Sequence, residues 1–124
     1  MSKAEAERFL SKLKEGTLIT EHTFAELDVD DYLAEREDDE FSGQWMQAFE
    51  RVQGSGTEAE AEDIRSGREM AYKQVFSLTG DPDLAGYVSD DIGLICTALA
   101  GDEVHDGFVH TLQESYLSGR LPLR

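Results

Sequence analysis

The sequence is short of basic side chains: its 124 residues contain 11 Lys and Arg against 27 Asp and Glu, a formal net charge of −16 at pH 7. Charges at this density repel one another at physiological ionic strength, where screening acts over about 8 Å. Nucleic-acid backbones and anionic lipid surfaces are bound through basic patches, so the composition argues against direct binding to either. It favours solubility or association with a basic protein partner.

Long apolar runs and cysteines are also scarce. No run of about 18 apolar residues exists, and the first residues lack the apolar core of a signal peptide, so a cytoplasmic protein is expected. A single cysteine, Cys96, excludes an internal disulfide. It follows the apolar residues Ile92, Leu94 and Ile95, and no electropositive neighbour would activate it, which predicts a buried, unreactive thiol.

The apolar residues that are present recur at helical spacing, and no alternating strand pattern is visible. The sequence therefore predicts an all-α fold, a compact bundle of five or six helices in a single domain over residues 1–124. Residues 17–40 have a weaker pattern, which predicts a loop with one or two short helices. The sequence Gly54-Ser55-Gly56 closes the helix before it.

Helix starts are marked by a side-chain acceptor followed by an acid or a proline. The predicted starts are Ser2 with Glu5, Thr57 with Glu60, Asp81 before Pro82, and Ser89 before Asp90 and Asp91.

Apolar positions at helical spacing predict the core. They include Phe41, Trp45, Ala48, Phe49 and Val52; then Ile64, Ala71, Val75 and Leu78; and finally Val104, Phe108, Leu112 and Tyr116. Phe76 is interpreted as a further core phenylalanine, with Phe49 and Phe108. Gly67 interrupts the second stripe, which indicates a bend or a close packing contact. Trp45 closely follows an acidic run, so an exposed position there would suit an interface anchor.

That acidic run is the strongest local anomaly in the chain. Residues 26–40 contain nine acidic side chains and one basic one, Arg36, a net charge of −8. The segment is interpreted either as a solvated surface or as a contact surface for a basic partner. The candidate partner-binding residues are Asp28, Asp30, Asp31, Glu35, Asp38, Asp39 and Glu40.

No catalytic, cofactor-binding or metal-binding residue is predicted. Asp28 and Asp30 have the first spacing of a calcium loop, but Leu33 occupies the position where the sharp turn needs glycine. The chain has no Glu-x-x-His for a di-metal bundle, and His105 and His110 are five residues apart, the wrong spacing for one helical face. Hydroxyls near acids are explained by helix capping, with no general base beside them.

Two C-terminal stretches carry a family resemblance. Residues 87–95 (YVSDDIGLI) and 115–122 (SYLSGRLP) resemble the C-terminal part of the small acidic immunity proteins that accompany bacterial polymorphic toxins. The resemblance implies a non-enzymatic inhibitor that occupies the basic active-site face of a toxin such as a nuclease. An alternative is a nucleic-acid mimic or regulatory adapter that binds a DNA-binding protein, and a third is a small enzyme. The first two predict the same acidic surface.

Overall fold

The computed structural model describes residues 2–53, 57–101 and 107–124, with side chains from residue 4 onward. These residues form six α-helices and a short 3₁₀ helix, Glu21–Phe24, and contain no strand. The helices are α1 (Ser2–Lys14), α2 (Val29–Glu37), α3 (Asp39–Val52), α4 (Glu58–Thr79), α5 (Pro82–Ala100) and α6 (Gly107–Leu117). The all-α prediction is confirmed, as is the loop with short helices over residues 17–40. The Ser2 side chain, the Gly54-Ser55-Gly56 closure, Val104 and His105 lie outside what is described.

Helix α5 is the centre of the bundle and packs against the five other helices. The Asp81 carboxylate caps its start by accepting from the Leu84 backbone N–H at 2.9 Å, and Pro82 occupies the first turn, as predicted. The predicted helix start at Ser89 is wrong, because α5 continues through Ser89 without a break. The Ser89 hydroxyl instead donates to the Arg68 carbonyl of α4 at 3.0 Å, so its polarity serves a contact between helices.

Helix α4 lies along both α5 and α1. Its predicted capping box is confirmed: the Thr57 hydroxyl accepts from the Glu60 N–H at 3.2 Å, and the Glu60 carboxylate accepts from the Thr57 N–H at 2.8 Å. A Cβ at Gly67 would lie 2.5 Å from Cδ2 of Leu10. Gly67 therefore allows α1 and α4 to approach closely.

Three residues predicted to be core lie largely on the surface. Phe49 is 40% exposed, Phe76 is 47% exposed and Leu78 is 39% exposed. Phe76 stacks on Tyr72 of the same helix, with ring centroids 6.3 Å apart, and Phe108 is half-buried. The prediction failed because apolar spacing identifies which residues share a helix face, and only the fold decides whether another element covers that face.

Candidate partner-binding surface

All nine acidic side chains of residues 26–40 are exposed, and they lie on α2, at its start, and on the first turn of α3. We call these nine side chains the acidic face. The chain therefore presents its densest negative charge on the surface and buries none of it.

The seven acids predicted to bind a partner differ in what they do within the fold. Asp28 and Asp38 are N-caps: Asp28 accepts from the Asp31 N–H at 3.1 Å and Asp38 accepts from the Glu40 N–H at 3.2 Å. Glu35 accepts a hydrogen bond from Arg124 at 2.9 Å, which lowers the pKa of its carboxyl.

Four acids remain as open charges. The side chains of Asp30, Asp31, Asp39 and Glu40 accept no hydrogen bond from the described residues. All four lie in the first turns of α2 and α3, where the positive end of the helix dipole favours carboxylates. The helix starts thus hold the unpaired charges in place with little cost to folding.

One buried carboxylate, Asp91 of α5, connects this face to the core. Its side chain is fully buried and accepts hydrogen bonds from three helices. Arg36 of α2 donates from Nη1 at 2.7 Å and from Nη2 at 2.8 Å, the Trp45 indole of α3 donates at 2.9 Å, and the Tyr116 hydroxyl of α6 donates at 2.6 Å. We call these residues, with Tyr32, the Asp91 cluster.

Arg36 lies between two aromatic rings, 5.0 Å above the centroid of Phe41 and 4.7 Å from that of Tyr87. Burial alone would lower the pKa of Arg36, but the charge and hydrogen bonds of Asp91 raise it above its ordinary value, so the guanidinium stays charged. Burial also raises the pKa of Tyr32 to about 12 and that of Tyr116 well above its ordinary value. Both tyrosines therefore keep their protons, and Tyr116 stays a donor to Asp91.

Sequence reasoning missed the Asp91 cluster because it assigned Asp91 to a helix start. Two signals were present: Asp91 is followed by the apolar run Ile92–Cys96, and Arg36 is the one base in the acidic run, four residues after Tyr32. A charged residue at each of two core-facing positions is the pattern that a buried ion pair requires.

An open apolar groove lies beside the acidic face, between α3 and α5 and bordered by α4. It consists of two adjoining cavities of about 410 and 190 Å³, which share Trp45, Met46 and Asp90. We call it the α3–α5 groove. Its further lining residues include Phe41, Phe49, Val52, Ile64, Arg68, Tyr87, Leu94 and Thr97.

The groove contains one ion pair, between Arg68 and Asp90 at 2.8 Å, with both side chains about half exposed. Burial raises the pKa of Asp90, and the charge of Arg68 opposes this shift. A Cβ at Gly93 would lie 2.7 Å from Cδ of Arg68, so the glycine makes room for this side chain along α5.

No metal site is evident in the part of the chain that is described. There, no group of three His, Cys, Asp or Glu side chains is placed to hold a metal ion, and no helix is long and apolar enough to cross a membrane. Cys96 is buried as predicted, and burial raises the pKa of its thiol to about 12, which keeps it protonated.

The described residues thus form a small helical protein with an exposed acidic face beside an open apolar groove. The comparisons with known proteins give its class: the family model "Immunity protein PIM1" matches residues 8–123. The chain therefore belongs to the PIM1 immunity protein family, and such a protein binds a toxin. The predicted resemblance is confirmed, and it extends over most of the chain instead of the C-terminal third. No curated protein matches the sequence.

Proposed function

We propose that this protein neutralises its toxin by covering a basic, substrate-binding surface with the acidic face. The observation that carries the proposal is the set of four unpaired carboxylates, Asp30, Asp31, Asp39 and Glu40, held on two helix starts. A toxin that acts on a polyanion such as a nucleic acid has to display Lys and Arg. An acidic surface of fixed shape competes for that site without chemistry of its own.

The charge also suits rapid inhibition. Complementary fields raise association rates by about 10- to 1,000-fold at low ionic strength, and added salt removes the advantage. An immunity protein has to reach its toxin before the toxin reaches its substrate. For a nuclease that substrate is in the cytoplasm, and the proposal places the immunity protein in the same compartment.

The test uses paired charge neutralisations and the purified toxin that this protein neutralises. One variant combines Asp39→Asn with Glu40→Gln, and its matched control combines Glu7→Gln with Glu15→Gln, two exposed acids in and just after α1. Both variants lose two negative charges, so they change the net charge equally and differ only in where the charge is removed. The association rate is measured by stopped flow at low and high salt.

We expect the Asp39/Glu40 variant to associate about tenfold more slowly at low salt, with the deficit shrinking as salt rises. The Glu7/Glu15 control should remain within about twofold of wild type. Equal slowing in both variants would mean that only the overall charge matters, and the acidic face would then not be the contact surface. Unchanged melting temperatures show that neither pair of substitutions acts through folding.

A further inference from the structure

We propose that the α3–α5 groove is a second contact, which receives an apolar side chain of the toxin flanked by lysine or arginine. This inference rests on the proposed function and adds to it the chemistry of the toxin surface that is recognised. The larger cavity of the groove, which we call the slot, provides an apolar surface. The rim of the slot provides the negative charge.

The slot leaves apolar surface open to water. Met46 is 51% exposed and Phe49 is 40% exposed, and both line the larger cavity. The volume of that cavity, about 410 Å³, lies in the range of about 300–1,000 Å³ that is typical of binding sites. A large aliphatic or aromatic side chain would cover the exposed carbon atoms of Met46 and Phe49 and release the water against them.

One wall of the slot is held rigidly before any partner arrives. Trp45 is fixed at its inner edge by the 2.9 Å hydrogen bond from its indole N–H to Asp91, and its outer side stacks on Phe49, with ring centroids 5.8 Å apart and planes 14° from parallel. Tryptophan is enriched among the residues that dominate binding energy, and a side chain that is already ordered loses little entropy on binding.

The charge of the rim selects a basic neighbourhood on the partner. Glu50 lies four residues after Met46, which puts both residues on one strip of α3. Glu50 is exposed, and it makes no hydrogen bond or ion pair through its side chain with the described residues. Two cations line the groove, and both are already neutralised: Arg68 by Asp90 at 2.8 Å and the buried Arg36 by Asp91 at 2.7 Å. The charge left open around the slot is therefore negative, and complementarity calls for Lys or Arg beside the inserted side chain.

The occupancy of the groove can be measured at a single atom. Trp45 is the only tryptophan in the chain, so growth with 5-fluorotryptophan gives one ¹⁹F resonance that reports on the groove wall. Titration with the same purified toxin should shift this resonance to a new bound position. A resonance that stays in place in a saturated complex would overturn the inference.

An affinity measurement with a matched control tests the energetics. Phe49→Ala removes part of the slot, whereas Phe76→Ala removes a phenylalanine of similar exposure, 47%, from α4 outside the groove lining. We expect Phe49→Ala to raise the Kd for the toxin about tenfold or more, and Phe76→Ala to change it less than twofold. Equal effects of the two substitutions would contradict the inference. Thermal melts of both variants exclude unfolding as the cause.

The two proposals fail in different ways. If the Asp39/Glu40 variant associates slowly while Phe49→Ala binds like wild type, the acidic face is the contact surface and the groove inference is wrong. If Phe49→Ala loses affinity while the Asp39/Glu40 variant keeps its association rate, the groove is the contact and the acidic face is not. A toxin that does not bind the wild-type protein would overturn both.

Discussion

The geometry of the Asp91 cluster predicts a large loss of folding stability for Asp91→Asn, which replaces one carboxylate oxygen with an NH₂ group. The carboxylate is fully buried, and it accepts from both Nη atoms of Arg36, from the Trp45 indole and from the Tyr116 hydroxyl. An amide has one oxygen to accept these bonds, and its NH₂ group faces other donors. The exchange also leaves the Arg36 charge buried without a counter-charge.

The size of the effect follows from that unpaired charge. Breaking a buried ion pair by removing one partner costs about 3–5 kcal/mol, out of a total stability of about 5–15 kcal/mol for a small domain. The matched control is the neighbouring residue, Asp90→Asn. Asp90 is paired with Arg68 in a half-exposed position, where such pairs contribute about 0–1 kcal/mol. Asp91→Asn should therefore lower the free energy of unfolding several-fold more than Asp90→Asn does.

Urea unfolding followed by circular dichroism at 222 nm measures the free energy of unfolding of both variants, because helices dominate the signal. Trp45 fluorescence is unsuitable, because Asp91→Asn itself changes the surroundings of the indole. A double-mutant cycle with Arg36→Met isolates the pair. The Asp91→Asn/Arg36→Met double variant should be at least about 2 kcal/mol more stable than the sum of the single effects predicts. Additivity within about 0.5 kcal/mol, or an Asp91→Asn cost below about 1 kcal/mol, would refute the role assigned to the cluster.

Three further predictions concern packing, alkaline pH and salt. Gly67→Ala should lower the free energy of unfolding by about 1–3 kcal/mol, because the new Cβ would lie 2.5 Å from Cδ2 of Leu10. Gly43→Ala should raise it by about 0.5–1 kcal/mol in the same urea assay, because no atom lies within 4 Å of the new Cβ. Burial raises the pKa of Cys96 from 9.0 and that of Tyr32 from 10.0 to about 12 each. The unfolded chain therefore releases these protons first. The stability that each group contributes is fully present below its ordinary pKa, and it should fall by about 1.4 kcal/mol per pH unit between pH 9 and 12 for Cys96 and between pH 10 and 12 for Tyr32. A flat stability profile over that range would contradict the burial of these groups. Moderate salt should raise the melting temperature by screening the net charge of −16, and a melting temperature that salt leaves unchanged would contradict net self-repulsion.

Much of the fold was predictable from the sequence because local chemistry determines helix starts. The capping box of Thr57 and Glu60 and the Asp81-Pro82 start both depend on contacts within four residues, and both are present as predicted. Ser89, followed by Asp90 and Asp91, has the same local composition but lies inside α5. The polar groups of this segment contact other helices, so the same local composition fits both a helix start and the interior of a helix.

The candidate binding surface was predictable in part. The exposure of the acidic segment follows from its charge, since unpaired carboxylates do not stay buried. The division between capping acids such as Asp38 and open acids such as Asp39 depends on where α3 begins. The groove was not predictable, because Phe49 has the spacing of a core residue and yet lines the open groove with 40% of its surface exposed.

Buried Arg36 attaches the acidic helix α2 to the rest of an acidic protein. A helix dense in acidic residues is a good recognition surface, but its charges repel the rest of an acidic chain, and α2 fully buries only two side chains, Tyr32 and Arg36. An apolar residue at position 36 would hold the helix by burial alone and leave Asp91 without its cation. The ion pair instead fixes α2 through a directional, two-pronged contact. Since the same carboxylate also orients Trp45, a single buried group sets the geometry of the acidic face and of the groove wall together.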